Sequence, residues 1–329
     1  MRRPTLGQKL RAIVLAMPFA GAVACGRSPV FQASESGSSG GAGSRVDSGC
    51  EIASCGGGGW NQVVLLPRGF DGGSCFVACS QVPLGSSRTT DCAFTTLDCE
   101  PAVCCSGVPT KGRRPPGLRA PIAAQTPNAV GAFFAEVARL EAASVPAFRL
   151  LAQELTAHGA PVRLIRAARS AASDEVRHTR AAGAFARRYG AEPVKPVIAE
   201  LPRHRSLAAI AVENAVEGCV RETYGALVAL WQARTAADPA VAAAMGPIAR
   251  DETRHAELAR KVAAWATPRL GPAARRRVAQ ARARAFAELR VEATRPVPAA
   301  LVALAGLPSP KTAARLLDAL EPEVVGLHA

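Results

Sequence analysis

Asp174-Glu175-Val176-Arg177-His178 and Asp251-Glu252-Thr253-Arg254-His255 are one phrase written twice. Of the five histidines in the 329-residue chain, two follow a glutamate by three positions in these matching pentapeptides. Residues three apart share a helix face, with Cβ atoms about 5–6 Å apart, so the carboxylate and imidazole can reach one cation. Two such helices, combined with two helices that each carry a single inward Glu, build the paired-metal carboxylate site of a four-helix bundle. The repeated phrase therefore calls for two more acids on two more helices.

The flanking sequence offers them. From Asn128 onward the chain is alanine-rich, with apolar residues stepping by three and four, the period of a helix that buries one face. Asn128 as N-cap and Gly159 as stop predict a first helix over about 128–158. Pro161 at a first turn and Gly190 predict a second. Pro193, Pro196 and Pro202 break residues 191–205. Ser206 opens a third helix to about Thr235, and Asp238-Pro239 a fourth that ends before Pro268. Short joints make each pair antiparallel, and the long middle joint predicts a bundle with one crossover, the ferritin-like arrangement. The inward stripes are Phe134, Val137, Glu141, Ser144, Phe148, Leu151 and, at an offset of 76 (141 to 217), Ile210, Glu213, Glu217, Val220, Tyr224, Leu227. The second and fourth helices match at an offset of 77 (175 to 252) through Leu164, Ala168, Ala171, Glu175, His178 and Val241, Met245, Ile248, Glu252, His255. The unit reads as a duplicated helix pair.

Glu141, Glu175, His178, Glu217, Glu252 and His255 thus fall on apolar stripes. Inward carboxylates are costly unless paired or metal-bound, and two divalent cations would neutralise four of them. Without metal, the same residues would be a polar core or lie at helix edges. The pattern Glu141-x6-Phe148, Asp174 to His178, Glu217-x6-Tyr224 and Asp251 to His255 resembles the ferritin-like di-iron carboxylate superfamily, nearest its rubrerythrin-like members. The resemblance covers roughly residues 128–266. It implies two Fe ions, with Mn as an alternative, bridged by Glu175 and Glu252, which would also be the catalytic carboxylates. Glu141 with His178 would hold one ion and Glu217 with His255 the other, with Glu213 as a possible extra ligand. Asp174 and Asp251 would bond the ligating imidazoles across the bundle, or else pair with Arg177 and Arg254 on their own helices. Tyr224 would be a hydrogen-bonding or radical neighbour, or core packing; Cys219 reads as a small core residue. Glu222, about 140° around an α-helix from Glu217, reads as outside the ligand set. The rubredoxin-type C-x2-C pair of peroxide-reducing rubrerythrins is absent.

The rest of the chain points to export. Arg2, Arg3, Lys9 and Arg11 precede an apolar run from Ala12 to Ala24, too short to cross a membrane and fitting a signal peptide over 1–25. Ala22-Val23-Ala24-Cys25 resembles a bacterial lipoprotein box, with Cys25 lipidated and a membrane anchor implied; if the box is not used, the protein is secreted. A Gly/Ser tether follows over 26–49. Residues 50–105 hold Cys50, Cys55, Cys75, Cys79, Cys92, Cys99, Cys104 and Cys105, an even set that reads as a disulfide-rich module with undetermined pairing. Residues 106–127 read as a Pro/Arg linker, 128–267 as the bundle, and 268–329 as extra C-terminal helices. The net charge of +14 fits an alanine- and arginine-rich composition or an anionic envelope surface; export argues against nucleic acid. The expected fold is mainly α. The expected function is an envelope oxidoreductase acting on O2 or peroxide, as ferroxidase or peroxide scavenger, with an electron donor the sequence does not name. The competing reading is an envelope binding or structural lipoprotein whose bundle metal is structural or absent.

Overall fold

A computed structural model describes residues 4–18, 62–65, 88–97, 100–108, 113–119, 128–199 and 205–326. The protein is mainly helical. Cys25 and the side chains of the eight cysteines from Cys50 to Cys105 lie outside the described residues, as do the tether and the pairing expected there. Strands β1 (Gln62–Leu65), β2 (Arg88–Leu97) and β3 (Glu100–Val108) form an antiparallel sheet in the order β1-β3-β2.

Helices α2 (Ala129–Ala157) and α3 (Val162–Arg188) form one hairpin. The Asn128 side chain accepts from Val130 N and Gly131 N, satisfying two amides that a helix start leaves without partners. Gly159 and Gly190 take positive φ, 67° and 76°, at the two helix ends, where a side chain would be strained. Helix α4 spans 207–235 in three parts: an α-helical turn pair Leu207–Glu213, a π-helical segment Asn214–Glu222, and an α-helical end Thr223–Thr235. Helix α5 (Pro239–Ala266) returns alongside it, capped by Asp238. The hairpins meet through α3 and α5.

The core is divided. One apolar cluster gathers Phe134, Val137, Phe185, Val220, Leu227, Met245 and Ile248. The other gathers Phe148, Leu151, Leu155, Leu164, Ala168, Ile210, Leu258 and Val262. Between them lie Glu141, Glu175, His178, Glu222, Glu252 and His255, each at most 2% exposed. Two apolar layers thus close a polar layer off from water.

Three segments outside the hairpins complete the packing. Helix α1 (Leu6–Ala16) buries Leu6, Leu10 and Val14, and its Lys9 pairs with Glu323 at 2.7 Å. Among the described residues no helix is long and apolar enough to cross a membrane. Helix α6 (Pro272–Ala293) lies on the π-helical segment, where Glu292 accepts from Arg221 at 3.1 Å. Helices α7 (Ala299–Ala303) and α8 (Pro310–Val324) follow, and Gln232 donates to Ala305 O at 2.7 Å. Residues 113–119, expected as linker, lie against the bundle. Arg113 is 1% exposed, its carbonyl accepts from Ser144 Oγ at 2.9 Å, and its guanidinium sits 5.6 Å from the Phe148 ring centroid.

Candidate metal centre

Each ligand position follows from its helix. On α3 and α5 the i,i+3 spacing puts Glu175 beside His178 and Glu252 beside His255. Nδ1 of His178 lies 3.3 Å from Glu252, 3.6 Å from Glu175 and 3.8 Å from Glu141. Nδ1 of His255 lies 3.1 Å from Glu175, 3.7 Å from Glu252 and 3.7 Å from Glu222. Two four-residue groups result, Glu141-Glu175-His178-Glu252 and Glu175-Glu222-Glu252-His255, with the potential ligand atoms of each within 4.8 Å of one another. Glu175 and Glu252 belong to both.

The two groups leave out two of the expected ligands, Glu217 and Glu213, and include Glu222. Glu217 is not in the cluster: it accepts from Arg114 N at 3.2 Å and faces Arg221 at 3.8 Å. Glu213 is also elsewhere, paired with Arg113 at 3.0 Å and with Arg205. Glu222 takes the fourth carboxylate position. The reason is the π-helical segment. A residue in an i→i+5 turn rotates by less than the 100° of an α-helix, so phase counted at 3.6 residues per turn goes astray across Asn214–Glu222. Gly218 lets this wider segment approach α5: a Cβ there would fall 2.5 Å from that of Ala259. Asn214 Nδ2 anchors the approach by donating to Ala259 O at 2.8 Å.

The outer side of each imidazole is held across the bundle. His178 Nε2 lies 3.2 Å from Asp251 Oδ2, and His255 Nε2 lies 3.2 Å from Asp174 Oδ2. The aspartates also bind the arginines of their own helices, Arg177 at 2.6 Å from Asp174 and Arg254 at 2.7 Å from Asp251. Each aspartate thus contacts both the imidazole opposite and an arginine of its own helix. Burial acts to raise Asp174, but His255 and Arg177 outweigh it and hold the carboxyl down at about 2. An ionised Asp174 fixes the proton on Nε2 and, in the neutral imidazole, leaves the Nδ1 lone pair facing inward. Tyr224 packs in the apolar core instead, and its phenol is raised by burial alone. Phe148 lies against His255, ring centroids 5.0 Å apart. Cys219 is buried as expected for a core residue.

The interior of the cluster is short of hydrogen bonds. Glu141 Oε2, both oxygens of Glu175, both of Glu222, Glu252 Oε1, His178 Nδ1 and His255 Nδ1 are buried without a partner. Leaving one such group unsatisfied costs about 1–3 kcal/mol, and here eight converge on one space. Burial, then the neighbouring Glu175, raises Glu141 well above the usual carboxylate range; burial and Glu252 do the same to Glu222. Burial opposes ionised Glu175 and Glu252, but facing donors keep both below that range. Burial also opposes charging the histidines, yet the carboxylates around them push both well up. Metal-free, the cluster balances two carboxylates against two imidazolium ions.

No family model, no curated protein and no solved structure matches this chain. The geometry itself carries the reading of the site. Buried glutamates and histidines in these two groups could hold metal ions.

Asp174→Ala is expected to lower affinity for the ion beside His255 by about 10–100-fold, since it removes the group that orients the imidazole. Metal titration in a chelator buffer reads the change. Unchanged affinity would make the aspartates surface partners of the arginines and nothing more.

Proposed function

We propose that the chain is a ferritin-like di-metal carboxylate protein of the cell envelope that oxidises Fe(II) or consumes peroxide. The observation that carries this reading is the set of eight buried, unpartnered donor atoms shared between two ligand groups with Glu175 and Glu252 in common. Four carboxylates and two neutral imidazoles offset the charge of two divalent cations, and oxygen and nitrogen donors of this kind suit iron and manganese. Bound there, such a pair would supply the redox equivalents for reducing O2 or peroxide.

The residues divide the work. Glu175 and Glu252, common to both groups, would serve both ions. Glu141 with His178, and Glu222 with His255, would complete the two ends. Asp174 and Asp251 fix the imidazole tautomers from outside. The apolar layers keep water away from the carboxylates, which strengthens every charge interaction inside. Beside Glu141 and His178 lies a cavity of about 10 Å³, walled by Phe133, Phe134, Val137 and Ile248. That is room for about one water-sized molecule and leaves no space for an organic substrate there.

The test is metal analysis of protein purified without added metal, followed by oxygen uptake with Fe(II). Two irons per chain and rapid uptake support the oxidoreductase. One tightly held, redox-silent ion would support a structural metal instead.

Loading must also displace protons. Two carboxylic acids (Glu141, Glu222) and two imidazolium ions (His178, His255) give up one proton each, about four per pair of ions. Protons compete with metal for the same lone pairs, so affinity is expected to rise with pH. Titration calorimetry in buffers of different ionisation enthalpy counts the release. A count near zero would mean that the cluster is already deprotonated and the charge balance given above is wrong.

A further inference from the structure

A second cavity, separate from the metal cluster, opens between α4, α5 and α6, with a volume of about 430 Å³. Its size falls toward the small end of the ~300–1,000 Å³ of ligand pockets. The walls are of two kinds. Ala211, Ala215, Ala263, Val278 and Ala279 make an apolar floor, while Arg260, Arg275 and Arg282 add basic side chains to the same lining. No Asp or Glu lines it among the described residues.

Arg275 and Arg260 spend their hydrogen bonds on backbone carbonyls. Arg275 donates to the carbonyls of Leu270 at 2.9 Å and Pro268 at 3.4 Å. Arg260 donates to Glu323 O at 2.7 Å, with the Glu323 carboxylate 3.7 Å away. Its Nε is buried without an acceptor. Burial lowers Arg260 despite Glu323. A guanidinium fork matches a carboxylate bidentately. A free inorganic anion would satisfy the arginines but leave the alanine floor facing water.

We propose that this cavity binds a small organic carboxylate with an apolar body, its acid group on Arg260 and Arg275 and its chain over the alanine floor. The site stands apart from the metal reading and would survive its failure. Cys219 also lines the cavity, three residues before Glu222 on the same π-helical segment, so a bound ligand would press on the segment that carries a metal ligand.

The test uses the full chain and octanoate as probe, followed by calorimetry. Saturable one-to-one binding is expected, weakening with added salt. Arg275→Gln, at an exposed position, should weaken it about tenfold or more, the loss of one charge-assisted contact. Ala263→Phe should abolish it by filling the floor, and an unchanged helical circular-dichroism spectrum and melting temperature serve as the check that both variants fold. Octanol binding as tightly as octanoate would remove the anion from the proposal. Inorganic phosphate binding as tightly would remove the apolar body. Octanoate affinity unchanged in both variants, or no binding at millimolar octanoate, would overturn the site outright.

Discussion

Glu252→Ala is expected to take the metal content from two ions per chain to none at concentrations that saturate the wild type. Glu252 is common to both ligand groups, 3.3 Å from one inward nitrogen and 3.7 Å from the other. Its loss strips a ligand from each ion together and leaves each with less charge compensation. Oxygen uptake should fall to the rate of Fe(II) in buffer. Stabilisation by metal should vanish as well; for the wild type at a hundredfold excess over the dissociation constant, mass action gives about 2.7 kcal/mol. Elemental analysis and melting curves with and without Mn(II) read both effects. A variant that still holds one ion tightly would show that the carboxylate is not shared.

The second large effect separates two acids five positions apart. Glu222→Ala is expected to lose the ion beside His255 and keep weakened binding beside His178, giving about one ion per chain. Glu217→Ala is expected to retain two, because Glu217 spends its oxygens on Arg114 and Arg221. Should Glu217→Ala lose metal while Glu222→Ala does not, the π-helical placement of Glu222 would be wrong. Gly218→Ala gives an independent handle. Its added methyl would strike Ala259, and such overpacking costs about 1–3 kcal/mol, so it should weaken the same ion without touching a ligand.

Much of this was legible in the amino acids. Helix starts at Asn128, Ser206 and Asp238 carry their expected caps, and Gly159 and Gly190 end helices as backbone sterics require. The repeated pentapeptides gave Glu175, His178, Glu252, His255 and the crossed aspartates, because α3 and α5 keep α-helical phase throughout. Glu141 followed from the same phase on α2. Glu222 did not, since stripe counting assumes 3.6 residues per turn and α4 departs from it. Depth in the hairpin was the signal left unread. Glu141 lies 16 residues before Ala157 and His178 lies 16 after Val162. Glu222 lies 13 before Thr235 and Glu252 lies 13 after Pro239, whereas Glu217 lies 18 before Thr235, level with Glu257. Antiparallel neighbours at equal depth lie level along the bundle axis, so depth separates Glu222 from Glu217 where a miscounted phase does not. The docking of Arg113 was not legible either. A Pro- and Arg-rich stretch announces nothing about a buried guanidinium, and Glu213 and Phe148, far away in sequence, help make a place for it.

The divided core also bears on how the molecule comes apart. Six ionisable side chains lie between two hydrophobic clusters, and without metal little there joins one cluster to the other apart from the helices running through both. Such a layer is a fault plane. Amides of α3 and α5 flanking it should exchange with solvent through openings well short of global unfolding, and the two ends of the bundle should show separate protection levels. Cations seated in the layer would rivet it, merging the two levels into one, so that a single exchange experiment would report whether the bundle behaves as one cooperative body or two.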